Sequence, residues 1–216
     1  MVESKREAAV LWVKKIIICT ASLILLGIGC GINIVTSLGA DPITVFYDGL
    51  SKATGLSVGI TASILNTILV VVVFCIKRKY VNVGTLIYLF VLGTFIDFGI
   101  WFYNCLGVPQ LFFPRFIASL IGCLICFIGL GGYMSIDIGV DPWTALAIII
   151  SEKTSKSFRL VKVLLDIITL ILGWIMGGTV GIITLFCAVV GGPVIQKSAE
   201  LLDKILDKML KFNYKK

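Results

Sequence analysis

The sequence predicts an all-α integral membrane protein of about six transmembrane helices, arranged as two inverted three-helix repeats, each with a short extra helix after a Gly-x-Asp-Pro break. Three observations predict it. Hydrophobic residues fill 58% of the 216 positions and charged residues only 14%, more apolar material than one soluble core of this size hides. Runs of roughly 20 apolar residues, the length that crosses a hydrocarbon layer of about 30 Å, recur along nearly the whole chain. Glycine, aspartate and proline recur in the same order at an offset of 100 residues.

The first span is predicted from about Ile16 to Leu38 and is broken by Gly39-Ala40-Asp41-Pro42. Because it is longer than a signal-peptide core and is followed by no obvious cleavage site, it reads as a retained helix. A short helix follows, from about Asp41 to Thr54, then a second span over Leu56 to Ile76, closed by Lys77-Arg78-Lys79. The third span covers Val81 to Tyr103, and Asn104 to Pro114 reads as a turn region with two prolines. The fourth span, Phe116 to Ile138, ends at Gly139-Val140-Asp141-Pro142, and another short helix runs to about Lys153. The fifth and sixth spans are predicted over Leu160 to Met176 and Thr179 to Ile195. The expected units are residues 1–105, residues 106–197 and a basic tail, 198–216.

The repeat is legible residue by residue. Gly29 pairs with Gly129, Gly31 with Gly131, Gly39 with Gly139, Asp41 with Asp141, Pro42 with Pro142, Thr44 with Thr144 and Ser51 with Ser151. Asn66 meets Asp166; after a slip of one residue, Thr85 meets Thr184 and Gly93 meets Gly192. Such self-similarity marks an internal duplication, and an odd number of spans per copy turns the second copy upside down in the bilayer. With the N-terminus cytoplasmic, 17 of the 19 basic residues fall on the inner side, leaving Lys52 and Arg115 outside. The net charge of +7 is therefore a positive-inside signal rather than a nucleic-acid surface.

In the tail, Leu201, Leu202, Ile205, Leu206, Met209 and Leu210 share one helical face, with Lys204, Lys208 and Lys211 off it. Two readings stand: a helix lying on anionic lipid head groups, or an extension of the sixth span.

Each Gly-x-Asp-Pro motif has a local rationale. Glycine lets the preceding helix end, aspartate caps the next one, and proline sits where a backbone donor would have no partner. Short helices at matching positions of inverted repeats point to a transport pathway; the alternative is a pair of surface connectors. The candidate pathway residues are Asp41, Asp141, Asn66, Asp166, Thr44 and Thr144. Asp166 lies one turn from Lys162, so an intrahelical ion pair competes with a coupling carboxylate that faces Asn66. Asn33, Asp97, Asp137 and Gln196 lie nearer span ends, where water or snorkelling satisfies them. Gly39, Pro42, Gly139, Pro142, Gly192 and Pro193 are the helix-break and hinge candidates; Pro193 frees the Val189 carbonyl and should kink the last helix.

The seven cysteines lie mostly in apolar runs, where Cys behaves as a small hydrophobe. Cys123 and Cys126 have C-x-x-C spacing, but mid-helix in lipid they read as packing. Histidine is absent, which removes the commonest metal ligand and general base. No metal, cofactor or catalytic residue is expected, and no P-loop is present.

The repeated Gly-x-Asp-Pro-x-Thr motif, Gly84-Thr85 opening the third span and the Gly-Gly-Pro of the last span together resemble the YitT/YczE group of bacterial membrane proteins, over about Gly27 to Gln196. The second copy departs from it with Ile183-Thr184 in place of Gly84-Thr85. The resemblance implies a small protein of the bacterial inner membrane and carries no catalytic residues; the multi-pass topology with both termini cytoplasmic is the expectation from the apolar runs and the charge bias. The functional expectation is a small secondary transporter or permease of unknown substrate. The alternative is a non-transporting accessory or scaffold subunit, using its glycine-rich faces. Expected partners are the lipid bilayer, a small molecule or ion, and no nucleic acid; six helices are few for a lone transporter, so a homodimer is compatible with the size.

Overall fold

A computed structural model describes the backbone of residues 2–211 and the side chains of residues 9–204. Its order is α1 (Val2–Thr36), α2 (Pro42–Thr54), α3 (Val58–Lys77), a single 3₁₀ turn (Arg78–Tyr80), α4 (Val83–Cys105), α5 (Phe112–Ser135), α6 (Pro142–Thr154), α7 (Phe158–Ile175) and α8 (Ile182–Lys211). The sequence long, short, long, long occurs twice. Five helices, α1, α3, α4, α5 and α8, are long and apolar enough to cross a membrane. The expected sixth, α7, has 18 residues and carries Arg159, Lys162 and Asp166, too many charges for its length to qualify by composition alone. Large apolar side chains such as Phe90, Phe113, Ile168 and Ile175 face outward, as they do on a protein solvated by lipid.

The caps form as the sequence predicts. Asp41 and Asp141 hold extended backbone and accept hydrogen bonds from the Thr44 and Thr144 amides at 3.2 and 2.9 Å. Ser57 and Ser157 cap α3 and α7 in the same way. The helix ends differ from the expectation: α1 and α5 stop at Thr36 and Ser135, before the glycines, and the chain turns at Ser37 (φ 52) and Asp137 (φ 50). Gly39 follows with φ 103, a conformation that only glycine adopts readily.

Three further boundaries differ. The first helix begins at Val2 rather than near Ile16, because apolarity marks where a helix enters lipid, whereas backbone hydrogen bonding continues in water. Pro114, read as part of a turn, lies in the first turn of α5, where its missing donor costs nothing. Finally, α8 runs from Ile182 through Pro193 to Lys211, so residues 198–211 extend the last helix. A Cβ at Gly131 would touch Ser198 and Ala199, which places the start of the tail against α5. The predicted amphipathic face from Ile205 onward lies outside the described side chains.

α1 packs along α4 and α5; α5 packs in turn on α8. The short helices cross between halves, α2 against α7 and α6 against α3. Close approaches occur in matched pairs. A Cβ at Gly29 would lie 2.6 Å from backbone atoms of Gly122 and Cys126, and one at Gly129 would lie 2.6 and 2.5 Å from backbone atoms of Ser22 and Leu26. Each contact is the other shifted by 100 residues. The Gly84 amide donates to the Ile138 carbonyl and the Ile183 amide to the Leu38 carbonyl, both at 3.0 Å. The glycines therefore serve close helix crossings inside this chain, as small residues do in membrane bundles.

Candidate functional site

The two short helices bury much of their length, α2 through Thr44, Val45, Tyr47, Asp48 and Gly49, and α6 through Pro142, Trp143, Ala145, Ala147 and Ile149. They are interior elements rather than connectors lying free on the bundle surface. They meet at a buried polar chain. The Trp143 indole N–H donates to the Tyr47 hydroxyl at 3.0 Å, and that hydroxyl donates to Asn66 Oδ1 at 3.0 Å. Tyr47 and Asn66 are 2% and 1% exposed, so these bonds replace water that cannot reach them. The chain joins α6, α2 and α3. Beside it, the Tyr88 and Tyr133 rings lie 5.7 Å apart, and the buried Tyr133 hydroxyl has no hydrogen-bond partner among the described residues.

A second cluster surrounds the first helix break. Cys30 of α1 and Cys126 of α5 bring their sulfurs to 3.6 Å. The Thr44 hydroxyl donates to Cys30 Sγ at 3.3 Å, and a carboxylate oxygen of Asp41 and both sulfurs all lie within 4.8 Å of one another. One turn along, Asn33 donates to Cys123 Sγ at 3.4 Å and accepts from Ser119 Oγ at 3.0 Å, while Cys123 and Cys187 lie 3.5 Å apart. All seven cysteines are free thiols. Asn33, expected to be satisfied by water, is satisfied by protein instead, because α5 covers that face of α1.

Lys52 and Arg115, the two basic residues expected on the outer side, both have partners. Lys52 pairs with the buried Asp48 at 2.7 Å and donates to the Gly177 carbonyl and the Thr179 hydroxyl. Asp48 also accepts from the Thr179 amide at 2.8 Å. Arg115 donates to the Thr36 carbonyl at the end of α1. Across the molecule, Glu152 binds Lys77 at 2.5 Å and Tyr80 at 2.8 Å; these hydrogen bonds to Lys77 and Tyr80 hold its carboxyl below the usual range.

Of the six pathway candidates, Asp41, Thr44 and Asn66 join the buried clusters, and Asp141 and Thr144 form the second cap. Asp166 pairs with Lys162 at 2.5 Å, not with Asn66; Asn66 turns instead to Tyr47. Asp97 accepts from Ser57 Oγ and the Gly59 amide. Gly192, Pro193 and Val189 are exposed on the outer face of α8, and nothing approaches a Cβ built at Gly192. Sequence reasoning missed Tyr47, Asp48 and the pairing of Cys30 with Cys126. The signal in the sequence was an aspartate within the predicted short helix and cysteines within predicted apolar spans.

The profile of a family of unknown function, DUF6198, matches residues 13–199. A Haemophilus influenzae protein described as uncharacterized is 30% identical over 183 residues, covering 85% of this chain and 82% of its own. The uncharacterized membrane protein YczE of Bacillus subtilis is 28% identical, covering 82% of each chain, and the uncharacterized protein YyaS of the same organism is 27% identical, covering 84% of this chain and 90% of its own. No solved structure matches. The resemblance to YczE read from the helix-break motifs thus extends over most of the chain.

Proposed function

The chain belongs to this family of unknown function, and we propose that it is a small secondary transporter or permease working by alternating access. The observation that carries the reading is the meeting of two broken-helix elements, α2 and α6, through the buried Trp143–Tyr47–Asn66 chain. In transporters built from inverted repeats, substrate sites lie near the midplane where such elements meet.

On this reading residues 1–105 and 106–197 are the two repeats, and α7 is the sixth crossing, its Arg159 and Lys162 reaching the cytoplasmic interface. The matched contacts of Gly29 and Gly129, and of Gly84 and Ile183, support the duplication. Both termini face the cytoplasm of a bacterial inner membrane, and the tail beyond residue 198 meets anionic lipid. A homodimer suits the small helix count. The grooves at Gly29, Gly31, Gly129 and Gly131 are filled within the chain, which leaves less glycine surface for the scaffold role.

Uptake and efflux of a broad metabolite and ion panel by purified protein in proteoliposomes tests the proposal, comparing wild type with Asp41→Asn, Asp141→Asn and Asp166→Asn at two pH values. Asparagine is itself a good N-cap, so the first two substitutions remove charge while keeping the helix start. The expected result is flux in wild type that falls in Asp41→Asn or Asp141→Asn. Absence of flux for every compound, with all variants folded, would overturn transport in favour of an accessory subunit.

A further inference from the structure

We infer that Cys30, Cys126 and Asp41 form a binding site for a thiophilic d¹⁰ metal ion of the Zn(II) or Cd(II) type. Binding is the claim; that the ion is carried across the membrane rests on the transport reading above.

The geometry comes first. A tetrahedral ion with metal–sulfur bonds of about 2.3 Å holds its two sulfurs about 3.8 Å apart. Cys30 and Cys126 already sit at 3.6 Å, with an Asp41 oxygen within 4.8 Å of both. Thr44 Oγ1, 3.3 Å from Cys30 Sγ, is the adjacent polar atom; a water or this hydroxyl completes four-coordination. These donors come from two long helices and the start of a short one, so an ion would tie α1, α5 and α2 together.

The comparison between halves argues against packing as the reason for the thiols. Shifted by 100 residues, Cys30 becomes Leu130 and Cys126 becomes Leu26, while Asp41 and Thr44 remain Asp141 and Thr144. The backbones at the matching crossing, Gly129 against Leu26, approach as closely as those at Gly29 against Cys126, with leucine at the position that cysteine holds in the first half. The crossing geometry itself therefore does not demand cysteine, since the duplicate crossing is made without it. The two halves share the cap, and among the described residues a group of two thiols and the capping carboxylate is found only at the first. Soft thiolate sulfur selects d¹⁰ ions over hard cations such as Mg(II) or Ca(II). On binding, the coordinating thiols release their protons to bulk water.

The test titrates purified full-length protein in detergent, kept reduced with a non-thiol reductant, with Cd(II). The readouts are the thiolate-to-metal charge-transfer absorption in the ultraviolet and the metal retained after desalting, with Zn(II) as competitor and Mg(II) as control. One ion per chain is expected, displaced by Zn(II) and not by Mg(II). The paired substitution Cys30→Leu with Cys126→Leu copies the residues of the other half; Cys30→Ser, close to cysteine in size, removes a soft donor without overpacking, and Asp41→Asn keeps the helix cap. Each thiol variant should weaken binding beyond the 10–100-fold typical of outer-shell changes, while Cys75→Ser, at an exposed thiol, should bind as wild type does. Failure of wild type to bind, or unchanged binding by the double-leucine variant, would overturn the site. Loss of binding in Cys75→Ser would overturn it too, by placing the ion at the surface. Binding without flux in proteoliposomes would keep the site and remove transport, whereas flux without binding would do the reverse.

Discussion

Lys52 and Glu152 occupy equivalent places at the ends of the two short helices, and each reaches across to the opposite half. Lys52 bonds the Gly177 carbonyl and the Thr179 hydroxyl, and Glu152 bonds Lys77 and Tyr80. The residue type changes from cation to anion, but the reach is similar: Lys52 docks on the connector that follows α7, and Glu152 on the last residue of α3 and the 3₁₀ turn that follows it. Charge at these ends therefore fastens the short helices to the bundle.

The Glu152 end gives a pH prediction. Its carboxyl is held below the ordinary range by Lys77 and Tyr80, so the native state favours the ionised form. This stabilisation is fully present above the unfolded value, about pH 4.3, and is lost as pH falls through the depressed native value. Thermal unfolding in detergent should show an acid-side loss of stability that is shallower in Glu152→Gln. Identical pH profiles for both proteins would refute the assignment.

Tyr47 is the centre of the polar chain, so Tyr47→Phe strands both the Trp143 N–H and Asn66 Oδ1. A stability loss of about 1 kcal/mol is expected, since a side-chain hydrogen bond within a membrane bundle contributes about 0.6 kcal/mol on average and two are lost here. A double-mutant cycle between Tyr47→Phe and Asn66→Leu should show coupling, because removing both partners leaves less unsatisfied. Strict additivity would mean that the hydrogen bond contributes nothing.

Glycine positions should separate sharply. At Gly29 and Gly129 an added methyl meets backbone, which cannot rotate away, so either change to alanine should cost about 1–3 kcal/mol by overpacking. At Gly192 nothing lies within 4 Å, and alanine there should be neutral or stabilising by up to about 1 kcal/mol through helix propensity. Equal losses at all three positions would contradict the crossing geometry.

Asp166→Asn should cost little in stability. The Lys162–Asp166 pair is an intrahelical pair about 30% exposed on each side, a type worth about 0.3–0.5 kcal/mol. A fall in melting temperature comparable to that of Tyr47→Phe would show that Asp166 is tied into the bundle through more than its lysine.

Local chemistry acts between near neighbours, and the sequence determined by itself what depends on it. Aspartate before proline starts α2 and α6 because an N-cap needs only its own turn. The membrane class follows from apolar runs, and the identities such as Asp41 with Asp141 that suggest a duplication are read in the same way, because both are one-dimensional properties. Helix ends were less legible, since Ser37 and Asp137 take left-handed turns that no local preference announced. Only the tertiary structure decided that Asn66 would meet Tyr47 rather than Asp166, that Gly192 would face outward, and that Cys30 would face Cys126 across 96 residues. Each of these depends on which face of a helix its neighbour covers. In a helix that is apolar nearly all round, no hydrophobic periodicity marks that face, so side-chain shape at the crossings sets it.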